Sequence, residues 1–164
     1  MNKNVLKAVI AGSLVASLGM GATAAHAATA SATAKAKILR QVTLTNSTDL
    51  QFGTIVSSPT ASTVVVSTAG ARTCGASLVC SGASTAAGFN VTGTNGQVVA
   101  VSVPASVTLT SGTFSMVADL ATSATSLTLA SNAGSFSVGG TLNVGADQDD
   151  GDYEGTFNVT ADYQ

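Results

Sequence analysis

The segment Tyr153-Glu154-Gly155-Thr156-Phe157-Asn158-Val159-Thr160-Ala161-Asp162-Tyr163 decides the fold class. In an extended chain Tyr153, Gly155, Phe157, Val159, Ala161 and Tyr163 share one face. Thr156, Asn158, Thr160 and Asp162 take the other. Strand side chains repeat every two residues, so this pattern buries one face and wets the other. The same alternation recurs upstream. It is present in Phe89-Asn90-Val91-Thr92, in residues 97–103 with Val99, Val101 and Val103 on one face, and in Val107-Thr108-Leu109-Thr110. Phe136-Ser137-Val138 and Leu142-Asn143-Val144 repeat it. A helical period of 3.6 residues is almost nowhere to be found.

Turn signals punctuate these runs. They include Ser58-Pro59, Gly93-Thr94-Asn95-Gly96, Ser111-Gly112, Asn132-Ala133-Gly134 and Asp149-Asp150-Gly151-Asp152. Asn95-Gly96 and Asp150-Gly151 are strong hairpin signals. The expectation is an all-β, immunoglobulin-like antiparallel β-sandwich of about eight to ten short strands. Its core is built from Val, Leu, Ala and a few Phe.

Composition bounds the function. The chain has 164 residues, of which 45% are hydrophobic, 9% charged and 4% aromatic. One domain of ordinary size fits that length. Six Lys and Arg against eight Asp and Glu give a net charge of −2. No basic surface for nucleic acid follows from that balance.

Residues 1–27 read as a secretory signal peptide. Lys3 and Lys7 form the positive region, residues 8–20 are apolar and small, and Ala25-His26-Ala27 is a small-x-small cleavage site. The apolar run of about 13 residues is short of the roughly 20 that a membrane span needs. Cleavage after Ala27 takes 27 of the 164 residues and leaves 137. The remaining basic residues are Lys35, Lys37, Arg40 and Arg72, against eight acids. The single histidine, His26, leaves with the leader. Without it a Ser–His–Asp or Cys–His site cannot form, nor a His-ligated metal site. The protein is expected to be exported to the periplasm, the cell surface or beyond. No cofactor and no catalytic residue is expected, and the mature chain has no membrane span.

Residues 28–37 read as a flexible arm or donor strand, and residues 38–164 as the β-sandwich domain. From Ala28 to Ala36 alanine alternates with Thr, Ser and Lys. Cys74 and Cys80 enclose five residues. An even cysteine count in an exported chain favours a disulfide, and the spacing is wrong for a C-x-x-C redox pair. A metal role lacks further soft ligands.

Asp147, Asp149, Asp150, Asp152 and Glu154 place five carboxylates in one turn. Hard oxygen ligands at this density are weak calcium candidates, although the spacing departs from an EF-hand loop. The plainer reading is a solvated tip before the last strand. A glycosidase acid and base pair is disfavoured on an exposed turn with so few aromatics.

Several blocks carry a family resemblance. They are Asp49-Leu50-Gln51-Phe52-Gly53-Thr54-Ile55-Val56, Gly88-Phe89-Asn90-Val91-Thr92-Gly93, and Val103-Pro104 with Val107-Thr108-Leu109. The series continues with Gly139-Gly140-Thr141-Leu142-Asn143-Val144-Gly145-Ala146 and residues 151–160. Together they resemble exported bacterial β-proteins of the domain of unknown function 4402 family. The general plan is similar to spore-coat protein U and to chaperone–usher pilus subunits. That resemblance implies a non-enzymatic, fimbria-like or cell-surface subunit assembling by β-strand donation. Its partners would be other copies, or a pilus-type chaperone and usher. It also implies an assembly strand at the C-terminus, with Phe157, Val159, Ala161 and Tyr163 on its apolar face. The donor is either the alanine-rich arm or a segment with Ile38, Val42 and Leu44. Arg40 shares the face of the latter three, so residues 38–45 could equally be the domain's own first strand. The alternative function is a monomeric binding module, for calcium at the acidic turn or for a glycan at the loops.

Overall fold

A computed structural model describes residues 27–164. The leader reading lies outside the described residues except for Ala27. Residues 27–36 are exposed and carry no regular structure. The folded unit is Lys37–Gln164. It is all-β, and there is no helix among the described residues.

Twelve strands form it: β1 (Thr43–Thr48), β2 (Thr54–Val56), β3 (Ser62–Val66), β4 (Arg72–Cys74), β5 (Val79–Ser81) and β6 (Ala87–Thr92). Then follow β7 (Val98–Ser102), β8 (Ser106–Ser111), β9 (Phe114–Thr122), β10 (Ser126–Thr128), β11 (Ala133–Val144) and β12 (Thr160–Tyr163). The count exceeds the expected eight to ten because β2, β4, β5 and β10 have only three residues each. Two-residue periodicity is invisible over so short a run.

Every ladder is antiparallel, and the arrangement is sandwich-like. One sheet holds β1-β6-β11-β3-β4 together with β9 and β8; a second has the order β10-β7-β12; β2 and β5 make a small third sheet. The long strand β11 organises the first. Its residues 133–138 pair with β6, its residues 140–144 pair with β3, and β9 lies along its other edge at 138–143. The sequence suggested two separate runs around Phe136 and Leu142. They are one strand, since Gly139 and Gly140 continue the ladder between them.

Alternation puts one apolar face of each strand inward. In β3, Val64 and Val66 are buried while Val65 between them is exposed. The inward faces fill two cores. The first contains Phe52, Val64, Val66, Val107, Leu142 and Val144. The second contains Phe89, Val91, Val99, Leu129, Phe136 and Val138, with Phe89 stacked on Phe136 at 5.2 Å between ring centroids. Leu50, Leu120 and Phe157 pack against both cores. Burial of apolar area on these faces is the main favourable term in folding.

Two expected hairpins do not form. Asn95-Gly96 makes a turn, with Gly96 at φ 73°, but β6 and β7 belong to different sheets. Both edges of β6 are already taken by β1 and β11, so the chain crosses to the facing sheet. Asp150-Gly151 likewise joins no hairpin, because the chain after it leaves β11 for β7. True two-residue hairpins lie at Gly112-Thr113, between β8 and β9, and at Ser131-Asn132, whose φ angles are 52° and 68°.

Cys74 and Cys80 are bonded, with their Cα atoms 6.1 Å apart. The bond fastens the β2–β5 sheet to β4 at the edge of the large sheet. Replacing both with alanine should lower stability by roughly 2 kcal/mol on the chain-entropy account. Denaturant melts of oxidised protein and of the double variant measure that difference.

Candidate functional site

The C-terminal segment does not form the single strand its alternation suggests. Thr160–Tyr163 pairs with β7, and Tyr163 lies opposite Val99. Further back, Glu154 forms an isolated bridge to Thr110 on β8, through N–H···O bonds of 2.9 and 3.1 Å. From Glu154 to Thr160 the chain advances six positions, while from Ser102 to Thr110 the opposite side advances eight. The two registers cannot be joined by one ladder. Pro104, which has no N–H to donate, lies in the mismatched stretch. A hollow of about 450 Å³ opens there between residues 104–108 and 156–158.

The expected assembly residues keep their facing even so. Phe157, Val159, Ala161 and Tyr163 are half-buried and pack on the second core, while the residues between them are exposed. Phe157 also reaches the first core and meets Phe89 edge-on at 6.3 Å. Tyr163 has a polar role that its sequence did not reveal. Its hydroxyl accepts from the Thr94 amide at 2.7 Å and donates to the Arg40 carbonyl at 2.8 Å. It thereby fixes the start of the folded unit to the turn after β6.

A larger groove, about 1080 Å³, runs on the other side of this segment. One wall is residues 50–57 and the other residues 148–157. Its floor includes Leu109, Met116, Leu142 and Val144, so it opens onto the first core. The walls meet at one end. There Ser57 Oγ donates to the Gln148 carbonyl at 3.0 Å, and the Asp147 amide donates to the Ser58 carbonyl at 2.8 Å. Beyond that junction no ladder joins the walls among the described residues. The cleft between them has an apolar floor and walls that carry polar side chains such as Gln51, Thr54, Gln148 and Thr156.

The first wall is held rigidly from behind. β2 pairs with β5, and Arg72 Nη1 donates to the Phe52 carbonyl at 3.0 Å and the Ser81 carbonyl at 2.8 Å. Gly53 sits under this guanidinium at φ +81°; a Cβ there would also lie 2.6 Å from the Ser81 carbonyl oxygen. The first wall was legible only as part of a family-like block, 49–56. Nothing in its residues marks a cleft, because the cleft exists only once residues 148–157 are brought opposite.

The acidic turn forms the junction end of the second wall. Asp147, Asp149, Asp150, Asp152 and Glu154 are all exposed. Tyr153 Oη accepts from Gln148 Nε2 at 2.7 Å and donates to the Asp149 carbonyl at 2.9 Å, which holds the bend. Among the described residues, no three of His, Cys, Asp or Glu are gathered to hold a metal ion. No helix there is long and apolar enough to cross a membrane.

No curated protein matches the chain. Residues 42–163 match the family model described as a domain of unknown function (DUF4402). That span runs from the residue before β1 to the last residue of β12, and takes in both walls of the groove. The chain therefore belongs to the DUF4402 family.

Proposed function

We propose that the protein is a non-enzymatic, exported structural subunit of a fimbria-like or other cell-surface assembly, and that it assembles by β-strand donation. The observation that carries this reading is the groove: residues 50–57, paired on their far side with β5, and residues 148–157, bridged only at Glu154 to β8, face each other unjoined across a floor of Leu109, Met116, Leu142 and Val144. Unpaired edges are templates for another strand. An added strand gains main-chain bonds to both walls and seats alternate side chains below.

The donor is residues 28–36 of another copy. In an extended chain Ala28, Ala30, Ala32, Ala34 and Ala36 share one face. Small side chains suit a floor that Met116 and Phe157 line. Nine extended residues span about 30 Å, comparable with either wall of the groove. Export is supported by the leader-like residues 1–27, and the lack of any histidine after His26 removes histidine-based catalysis.

Deleting residues 28–37 tests the reading. The full-length mature chain is expected to form oligomers by light scattering after size exclusion, and the deleted chain to remain monomeric with an unchanged circular dichroism spectrum. Equal assembly by the two chains would overturn strand donation.

A further inference from the structure

Charge is distributed unevenly along this domain. Of the four basic residues after His26, three fall within residues 35–40, and all three are exposed. The fourth, Arg72, is engaged with backbone carbonyls behind the groove wall. The position of the basic stretch is fixed from Lys37 onward. Lys37 Nζ donates to the neutral Gln97 at 3.0 Å, and the Arg40 amide donates to Thr94 Oγ1 at 2.7 Å. With the Tyr163 hydroxyl on the Arg40 carbonyl, this places Lys37 and Arg40 at the β12 end of the C-terminal segment. The acidic turn occupies its other end, with Glu154 on Thr110 and Gly151 against Ser111.

Nine positions separate Glu154 from Tyr163, at most about 30 Å along the chain. Screening at physiological salt sets in at about 8 Å. Lys37 and Arg40 therefore cannot neutralise the acidic turn of their own copy. Each is available to a second molecule.

Apolar exposure follows the same division. Ile38, between Lys37 and Arg40, is 93% exposed. Val56 and Val79 are 58% and 66% exposed and face each other across β2 and β5. Val56 lies on the groove wall next to the Ser57–Gln148 junction, where the acidic turn begins, and Val79 stands beside it on the strand behind.

We infer that the acidic turn is the recognition surface for the basic residues 35–40 of a second copy, with Ile38 packing on Val56 and Val79. The inference rests on the strand-donation reading and adds direction to it. The Lys35 end of the donated arm lies at the acidic end of the groove, and Ala28 lies toward Leu50 and Phe157. Because the two surfaces are different and lie at opposite ends of one segment, the contact is heterologous. Repeated contacts of this kind give an open head-to-tail chain rather than a closed dimer.

Charge exchange tests this in the full mature chain. Lys35→Glu with Lys37→Glu should weaken assembly about tenfold or more, and so should Asp149→Lys with Asp152→Lys. All four substitutions in one chain should restore assembly to within about twofold of the parent, since the pairing is re-formed with reversed sign. Raising salt from about 20 mM to about 500 mM should weaken the parent similarly. All these residues are exposed, so sedimentation velocity can be paired with an unchanged melting profile. If every charge variant assembles like the parent while the chain lacking residues 28–37 stays monomeric, the charge pairing is overturned and strand donation stands. If the deleted chain assembles too, or the parent is monomeric at every salt concentration, both are overturned.

Discussion

A Gly139→Val chain is expected to melt about 10 °C or more below the parent, if it folds at all. At Gly139 strand β11 changes partners on one edge, from β6 to β3. The end of β3 passes directly against it. A Cβ at this position would meet the Val66 carbonyl oxygen, and would lie 2.7 Å from the Ser67 carbonyl carbon and 2.8 Å from the Thr68 nitrogen. All three are backbone atoms, so no side chain can swing aside. The need here is for space, not for an unusual dihedral. Relief requires β3 to move, and β3 carries Val64 and Val66, two of the most buried side chains in the first core. Overpacking costs typically 1–3 kcal/mol and more where the backbone must yield, so about 3 kcal/mol is a reasonable floor for valine. For a domain of this size that corresponds to roughly 10 °C. Gly139→Ala should fall in the same direction by less. Calorimetry of the three chains is the check, and a valine variant melting with the parent would mean that β3 does not pass against Gly139.

Phe157→Ala is expected to cost about 3 kcal/mol, the lower end for a phenylalanine because the ring is only half-buried. Phe157 is the side chain of the unpaired stretch that packs against both cores, and it lines both hollows beside that stretch. Its removal would enlarge a space the fold already leaves open and take the edge-on contact from Phe89. Neighbouring residues cannot collapse into the gap, since Glu154 and Thr160 are anchored to different strands on either side. Phe157→Leu keeps most of the apolar volume and should lose less than about 1.5 kcal/mol. Urea titrations of the two variants separate lost volume from lost aromatic contact. If strand donation operates, the alanine variant should also assemble poorly at concentrations where it is still folded.

Much of the strand content was legible because it is a local property. Val107 and Leu109, and Phe136 and Val138, are flanked by Ser, Thr or Gly, and each faces a core as the alternation requires. The disulfide was legible for a similar reason: Cys74 and Cys80 are six positions apart and their strands flank one short loop. Three-residue strands were not legible, since Thr54–Val56 or Ser126–Thr128 is too short to show a period. Nor were the partners of each strand. Asn95-Gly96 encodes a turn wherever it occurs, but it cannot encode whether the strands on either side pair with one another.

The groove shows the same division. The apolar face of residues 153–163 was readable from the sequence, and so was the acid density just before it. Sequence by itself determined that the chain is built of strands, which side of most of them is apolar, and where the charges lie along it. Tertiary structure alone decided that residues 50–57 stand opposite residues 148–157 without pairing. It also decided that one apolar segment is shared between two registers, and that Lys37 with Arg40 and the acidic turn at 147–154 lie at opposite ends of it. The physical reason is range. Side-chain alternation is set by the two-residue repeat of the backbone itself. Pairing is set by which buried faces and edges remain free once every other strand has found its place.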